Sequence, residues 1–351
     1  MMSPKKFKTL FPALALPVIL WSGTLQAEVP RVVADIAPVH SLVSMVMKGV
    51  GEPKLLVPQN VSPHHYAMRP SEAKALQEAN LVVYVGHDMS PWMEPLFETV
   101  AASADALNLS EVDGVLALPY REGPVFGDDV NHEGYDHEEE GHDEHGEEDH
   151  DDHEGHDHEE EGHDEHGEED HDDHAHHDHD GNDPHMWLDP ENAKIWLDAI
   201  ASELGYIDPE NADRYSLNAI SAKQQITREM HHIEEHLVAV QDKDFLVFHD
   251  AFQYFEKRFG IAATGSISLS DASKPSASRL RELKHLFEEQ AINCVLSEPQ
   301  FSSKLVDNVF GGYKLHIGVV DPIGIDLKLG PALYPALLEN IALGIAECVN
   351  P

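Results

Sequence analysis

The sequence has little positive charge, few cysteines and few long apolar runs. Its 23 lysines and arginines stand against 65 aspartates and glutamates, which gives a formal net charge of −42. Because binding to nucleic acid requires basic patches, this balance argues against a nucleic-acid partner and favours a cationic ligand. Only Cys294 and Cys348 are available for a disulfide, so at most one intramolecular bridge is possible.

An apolar run from Leu10 to Leu20 lies near the start of the chain. Lysines precede the run, and Leu25-Gln26-Ala27 follows it as a small-residue cleavage site. The run is shorter than the roughly 20 apolar residues that a membrane-spanning helix requires. We therefore expect residues 1–27 to be an export signal, and the mature chain to be a periplasmic protein that is not embedded in the membrane. In that oxidising compartment, Cys294 and Cys348 are expected to form a disulfide.

The middle of the chain is an acidic, histidine-rich insertion. Residues 128–184 contain 29 of the acidic residues and no Lys or Arg. The 18 residues 136–153, DHEEEGHDEHGEEDHDDH, are repeated without change at 157–174. Such a composition buries too little apolar surface to offset chain entropy, so the sequence predicts a disordered loop in the metal-free protein.

Fifteen of the 26 histidines lie in this insertion. Neutral imidazole is a good ligand for zinc, copper and nickel, and nearby carboxylates attract any divalent cation. We therefore expect several weak, poorly selective accessory metal sites, because each must be ordered when the ion binds. The histidines concerned are His132, His137, His142, His145, His150, His153, His156, His158, His163, His166, His171, His174, His176, His177 and His179.

Strand-like and helix-like segments alternate on both sides of the insertion. This alternation predicts an α/β fold with two lobes, each a parallel β-sheet covered by helices. The expected strands are Arg31–Ile36, Lys54–Val57, Leu81–Val85, Phe245–Phe248, Cys294–Ser297 and His316–Val320, and two of the expected helices are Pro70–Ala79 and Ser276–Gln290.

A long rigid helix is expected to join the lobes. It begins at about Asp208 and continues to about Val240, since no Gly or Pro follows Pro209 in that span. The expected organisation is a signal peptide at 1–27, an N-terminal lobe at 28–207 that contains the 128–184 loop, a linker helix at 208–241 and a C-terminal lobe at 242–351.

Ligand-type residues stand at or just after several predicted strands. Binding sites in open parallel sheets lie beyond the carboxyl ends of the strands. His64 follows the second predicted strand, while His249 and Asp321 close later ones. His185 lies where the insertion ends and apolar sequence resumes. These four residues predict one metal site in a cleft between the lobes.

Four motifs together resemble the ZnuA family of zinc receptors of ABC importers, over nearly the whole mature chain. The motifs are Pro63-His64-His65-Tyr66 followed by Arg69-Pro70-Ser71, then Asp183-Pro184-His185-Met186-Trp187-Leu188, then Phe248-His249-Asp250-Ala251-Phe252-Gln253-Tyr254-Phe255, and Asp321-Pro322-Ile323-Gly324. The resemblance implies a metal solute-binding protein of cluster A-I type, which acts as a monomer with a membrane permease.

The resemblance also implies the ligand set. His64, His185 and His249 are the expected zinc ligands, with Asp321 as a possible fourth. Some zinc relatives have an acidic residue directly before the first ligand, but this chain has Pro63. The fourth position is therefore left open between Asp321, a water molecule and a group from the insertion.

Zinc is favoured over manganese, because three imidazoles suit tetrahedral zinc and manganese prefers oxygen ligands. A manganese or other divalent-metal receptor, and a passive histidine-rich metal store, are the alternatives. A zinc hydrolase is disfavoured, since it would need a metal-activated water and a positioned general base, whereas a site for binding and release needs no base. His232-Ile233-Glu234-Glu235-His236 matches a zinc-peptidase pattern, but it lies in the linker helix and is interpreted as a solvated face.

Overall fold

The computed structural model describes residues 28–64, 66–121, 123–126, 181–268, 275–289, 292–300 and 310–351. The predicted export signal at 1–27 and the fifteen histidines of the insertion lie outside these residues. Only the last part of the insertion, from Gly181 onward, is described.

The first sheet contains four parallel strands in the order β2-β1-β3-β4. They are β1 Val32–Ala34, β2 Lys54–Leu55, β3 Leu81–Tyr84 and β4 Asp105–Asn108. The connecting helices are α1 Ala37–Val46, α2 Pro70–Gln77 and α3 Glu94–Thr99. Strands β1 and β3 are buried throughout, as their runs of valine and leucine predict, and α1 is buried on every side.

The second sheet repeats this topology, with four parallel strands in the order β6-β5-β7-β8. The strands are β5 Leu246–His249, β6 Gly265–Ser268, β7 Cys294–Ser297 and β8 His316–Val319. The helices are α6 Gln253–Phe259, α7 Ala277–Glu289 and α8 Leu333–Val349. The predicted α/β fold with two parallel sheets and covering helices is confirmed.

Helices α4 Pro190–Ile207 and α5 Ala212–Leu237 lie between the sheets in the chain. Helix α5 is shorter than the predicted 208–240 span at both ends. Its expected cap, Asp208, makes no capping bond, because its carboxylate accepts hydrogen bonds from Tyr215 and Asn211. Residues Pro209–Asn211 instead form a separate 3₁₀ turn. The 26 residues of α5 still span about 39 Å.

Two strands, β4 and β6, were not predicted. Strand β4 is a polar, largely exposed edge strand, so it lacks the apolar run that marks a buried one. Strand β6 contains Gly265 and two serines, because another segment packs tightly against it. A Cβ atom on Gly265 would lie 2.2 Å from the carbonyl oxygen of Pro124, and Val125 pairs with Gly265 in an antiparallel bridge.

One continuous apolar core connects the two sheets through α1, α4, α5 and α8. The disulfide between Cys294 and Cys348 is present and joins the start of β7 to the end of α8. Among the residues that the structure describes, no helix has the length and apolarity needed to span a membrane. Residues that follow strands of both sheets line a shared cleft, which contains the three predicted histidine ligands.

Candidate metal centre

His249 is the last residue of β5, and its ring is almost completely buried. The apolar residues Leu246–Phe248 form the strand that places it at the carboxyl end of the sheet. Its Nδ1 atom lies 2.9 Å from Oε1 of Glu298, which directly follows the neighbouring strand β7. In the order β6-β5-β7-β8, the chain reverses direction across the sheet between β5 and β7, so this pair occupies the switch point where such folds bind ligands.

His185 directly precedes a 3₁₀ turn at Met186–Leu188. The carboxylate of Asp183 accepts hydrogen bonds from the backbone N–H of His185 at 3.0 Å, and its Oδ1 lies 2.7 Å from the Nδ1 atom of the ring. Both side chains are buried. The carboxylate of Asp183, only two residues away in the chain, therefore fixes both the backbone and the ring of His185.

His64 lies in the loop that follows β2, and it is the most exposed of the three histidines. The indole Nε1 of Trp92 donates a hydrogen bond to the carbonyl oxygen of Pro63 at 3.0 Å. This contact ties the residue before His64 to the segment between β3 and α3. The loop that carries His64 is therefore held by another segment of the same lobe.

The structure brings His64, His185 and His249 together. Their potential ligand atoms all lie within 4.8 Å of one another. The ring centroids are 5.0 Å apart for His185 and His249, 5.5 Å for His64 and His185, and 6.3 Å for His64 and His249. Because carboxylates hold Nδ1 of the two buried rings, Nε2 is the nitrogen that each would offer to a metal.

The three histidines line a cavity of about 20 Å³ whose remaining wall includes Met89, Trp187 and Pro322. This is space for about one water-sized particle. A space of this size fits a single ion.

Asp321 is placed differently from the three histidines. Its carboxylate accepts hydrogen bonds from the backbone N–H groups of Ile323, Gly324 and Ile325. It is not among the residues whose ligand atoms are drawn together. The carboxylate thus orders the loop that forms one wall of the cavity, and its role as a fourth ligand stays a prediction.

A network of charges surrounds the cleft. Burial raises the pKa of Asp183 to about 7, although the backbone N–H of His185 and the charges of Arg121 and His249 act to lower it. Arg121 itself is paired with Asp250 and with Glu256, whose Oε2 is 2.7 Å away. A cation bound to His185 would favour the ionised form of Asp183, because the carboxylate would then lie close to an added positive charge.

Tyr254 of α6 connects the two sides of the site. Its hydroxyl donates a hydrogen bond to the carbonyl oxygen of Asp183 at 2.8 Å and accepts one from the backbone N–H of Leu118 at 2.9 Å. The second lobe therefore holds the segment that carries His185.

Sequence reasoning did not single out Asp183, Glu298 or Tyr254. Glu298 directly follows a predicted strand, so the rule that pointed to His249 and Asp321 applies to it equally. Asp183 stands two residues before His185, a spacing at which an Asp side chain can accept from the backbone N–H. No comparable signal marks Tyr254, because its partners are distant in sequence.

The family model described as zinc-uptake complex component A, periplasmic (ZnuA) matches residues 32–348. The chain belongs to the ZnuA family. The high-affinity zinc uptake system protein ZnuA of Brucella suis biovar 1 (strain 1330) is 42% identical over 346 residues, which cover 99% of each chain. The corresponding protein of Paracoccus denitrificans (strain Pd 1222) is 39% identical over 341 residues, 96% of this chain and 98% of the relative.

Two solved structures have the same fold as this chain. A crystal structure of ZnuA aligns with a TM-score of 0.67 at 21% identity, covering 92% of this chain and 100% of the other. The periplasmic zinc-binding protein TroA from Treponema pallidum gives a TM-score of 0.67 at 17% identity, with 92% and 99% covered. At these identities the likeness extends to the fold alone.

Proposed function

We propose that this chain is a periplasmic zinc receptor, which captures Zn²⁺ in the cleft and delivers it to the permease of an ABC importer. The observation that carries the proposal is the convergence of His64, His185 and His249, whose ligand atoms lie within 4.8 Å of one another. Membership of the ZnuA family and the names of its relatives, which are high-affinity zinc uptake proteins, support it.

The donor set favours zinc. Three imidazoles supply nitrogen ligands, and zinc completes a tetrahedron with one further group. Manganese prefers more oxygen donors. Among the described residues, the group of converging ligand atoms consists of the three histidines and contains no carboxylate. Asp321, a water molecule or a group of the insertion would take the fourth position. One tight zinc ion per chain is therefore proposed, with a manganese receptor as the less favoured alternative.

The family is one of solute-binding receptors, and the chain is not an enzyme. The site geometry agrees with transport. A zinc hydrolase needs a carboxylate that is positioned to activate the metal-bound water. The buried carboxylate of Glu298 instead holds Nδ1 of His249 through Oε1 and accepts a hydrogen bond from Gln300 through Oε2.

Contacts between the lobes support a preformed site. The indole Nε1 of Trp187, two residues after His185, donates a hydrogen bond to the carbonyl oxygen of Pro322 at 2.7 Å. The hydroxyl of Tyr334 donates to the carbonyl oxygen of Trp187, also at 2.7 Å. With the shared core and α5, these bonds argue for small lobe movements on binding, and preorganisation of this kind increases affinity.

The histidine-rich insertion is proposed to be an accessory collector of metal. Its dense negative charge would raise the local cation concentration within about 8 Å at physiological salt. The described chain resumes close to the cleft. Asn182 stands three residues before His185, and its backbone N–H donates a hydrogen bond to the carboxylate of Asp88. Ions held by the insertion would be released close to the tight site.

The first test of the proposal is a zinc titration of the full chain against a competing chelator, together with a permease assay. The wild-type chain is expected to bind one zinc tightly and to stimulate ATP hydrolysis by its reconstituted importer at low zinc. His249→Ala should lose both properties, while His231→Ala, an exposed change on α5, should keep them. A chain that binds zinc tightly but fails to engage the importer would contradict the transport role.

Deleting residues 128–180 tests the collector. Tight zinc affinity should remain nearly unchanged, total metal capacity should fall, and growth should be impaired only when zinc is very scarce. If the deletion abolished the tight site, the insertion would have to supply an essential ligand, and the proposed division of labour would be wrong.

A further inference from the structure

The linker helix α5 carries a second group of metal-ligand side chains that the cleft does not use. His232 and His236 are four residues apart and therefore lie on the same face of the helix, a spacing at which two imidazoles can bind one ion. Glu229 lies one turn before His232. Both histidines are exposed, whereas Glu229 is partly buried.

The position of these residues on α5 is defined by its buried stripe of Ile226, Ile233 and Leu237. At 3.6 residues per turn, the three side chains of Glu229, His232 and His236 fall within about 60° of arc and flank that stripe on one side. His231 and Glu234 lie outside this arc.

Helix α8 packs along α5 and supplies a fourth group. Burial raises the pKa of Glu229, the charge of Glu339 on α8 raises it further, and His232 and His236 lower it. Glu339 of α8 and the two histidines of α5 therefore all lie within electrostatic range of Glu229. In addition, Oε1 of Glu229 is buried and makes no hydrogen bond within the described part of the chain.

We infer that Glu229, His232, His236 and Glu339 form a second zinc-binding site on the outer side of α5 and α8. Two imidazoles and two carboxylates can complete a tetrahedral zinc shell. An ion there would attract the buried carboxylate oxygen of Glu229 and tie α8 to the linker helix. This inference does not depend on the function proposed for the cleft.

The outer site is expected to bind zinc less tightly than the cleft, because its ligand atoms do not lie close together before the ion binds. Unlike the three cleft histidines, they are not drawn together within 4.8 Å. Nδ1 of His232 instead lies 4.0 Å from Oε2 of Glu235, and both side chains are more than half exposed. Binding requires the two histidines to rotate and lose side-chain freedom. A purely solvated helix face would account for this exposure; the buried oxygen of Glu229, which makes no hydrogen bond among the described residues, is the feature that points to a bound ion.

Histidine footprinting of the full chain tests the site without interference from metal bound elsewhere. The protein is treated with diethyl pyrocarbonate at a series of buffered free-zinc concentrations, and modification is measured residue by residue by tandem mass spectrometry. His232 and His236 are expected to become protected together, at higher zinc than the cleft histidines. His231 and His285, which are similarly exposed, should stay reactive throughout.

Carboxylate variants identify the remaining ligands. Glu229→Gln and Glu339→Gln should each move half-protection of His232 and His236 to at least about tenfold higher free zinc, because the loss of a direct ligand should cost no less than the loss of a supporting carboxylate. Glu234→Gln, on the same helix but outside the arc, is the matched control and should cause no shift. Equal reactivity of His232 and His236 with and without zinc, or an unchanged midpoint in both carboxylate variants, would overturn the four-residue site.

Discussion

Nδ1 of His249 lies 2.9 Å from Oε1 of Glu298, although 49 residues separate them in the chain. Parallel pairing of β5 and β7 brings them together, because each stands at the carboxyl end of its strand. The side chain of Glu298 is fully buried. A carboxylate in this position fixes the orientation of the imidazole and increases its basicity toward a metal.

Replacing Glu298 with Gln is therefore expected to weaken tight zinc binding by about 10–100-fold, since the amide keeps the shape but loses the charge that supports the imidazole. Competition with a chelator of known affinity measures the change. Glu289→Gln, an exposed change on α7, is the control and should have no effect. Wild-type affinity in Glu298→Gln would show that the contact does not tune the site.

Alanine at His64, His185 or His249 should each reduce zinc affinity by more than the roughly 10–100-fold expected for a supporting carboxylate. The losses at His185 and His249 should exceed the loss at His64, because carboxylates orient those two rings and increase their basicity toward a metal. Titration of the three variants, with His231→Ala alongside, gives the ranking. An unchanged tight site in any of the three would remove that residue from the ligand set.

Asp35 gives the fold a pH dependence of its own. Burial raises its pKa to about 7, although the backbone N–H groups of Val85 and Ile36 act to lower it. Since the folded chain binds this proton more tightly than the unfolded chain, the contribution to stability is present at low pH and is lost as the pH rises through about 7.

The stability advantage of the wild-type chain over Asp35→Asn should therefore grow between about pH 8 and pH 5. Urea unfolding of the zinc-free proteins measures it, and comparing the two chains cancels the titration of groups that they share. Asp105→Asn, a change on the exposed strand β4, should show no such trend. A constant difference between wild type and Asp35→Asn would mean that Asp35 does not titrate in this range.

The disulfide is expected to contribute stability rather than zinc affinity. Cys294 and Cys348 are 54 residues apart, and closing a loop of that length corresponds to about 4 kcal/mol in the chain-entropy model. The double change Cys294→Ser and Cys348→Ser should lower the free energy of unfolding by up to that amount. Tight zinc binding should be retained at low temperature, because the bridge joins the opposite end of β7 from Glu298. Identical unfolding midpoints would contradict this expectation.

The sequence by itself determined most of the architecture. Apolar runs such as Leu81–Tyr84 and Leu246–Phe248 predict buried strands, and their alternation with helical segments predicts two parallel sheets. The position of His249 at a strand end also followed from that pattern. The less apolar strands β4 and β6 did not follow, because β4 is an exposed edge and β6 owes its glycine to the close approach of Pro124.

Tertiary structure alone decided how the candidate metal centre is supported. His64, His185 and His249 were expected to meet, and they do, but the carboxylate on His249 and the tyrosine that holds Asp183 come from distant segments. The tertiary structure also determined the environment of Asp321, because its carboxylate accepts hydrogen bonds from backbone N–H groups of the loop that follows it. Sequence periodicity records which face of an element is buried. Periodicity does not predict which side chains of other elements contact that face, because strand register and helix packing determine the distances between elements.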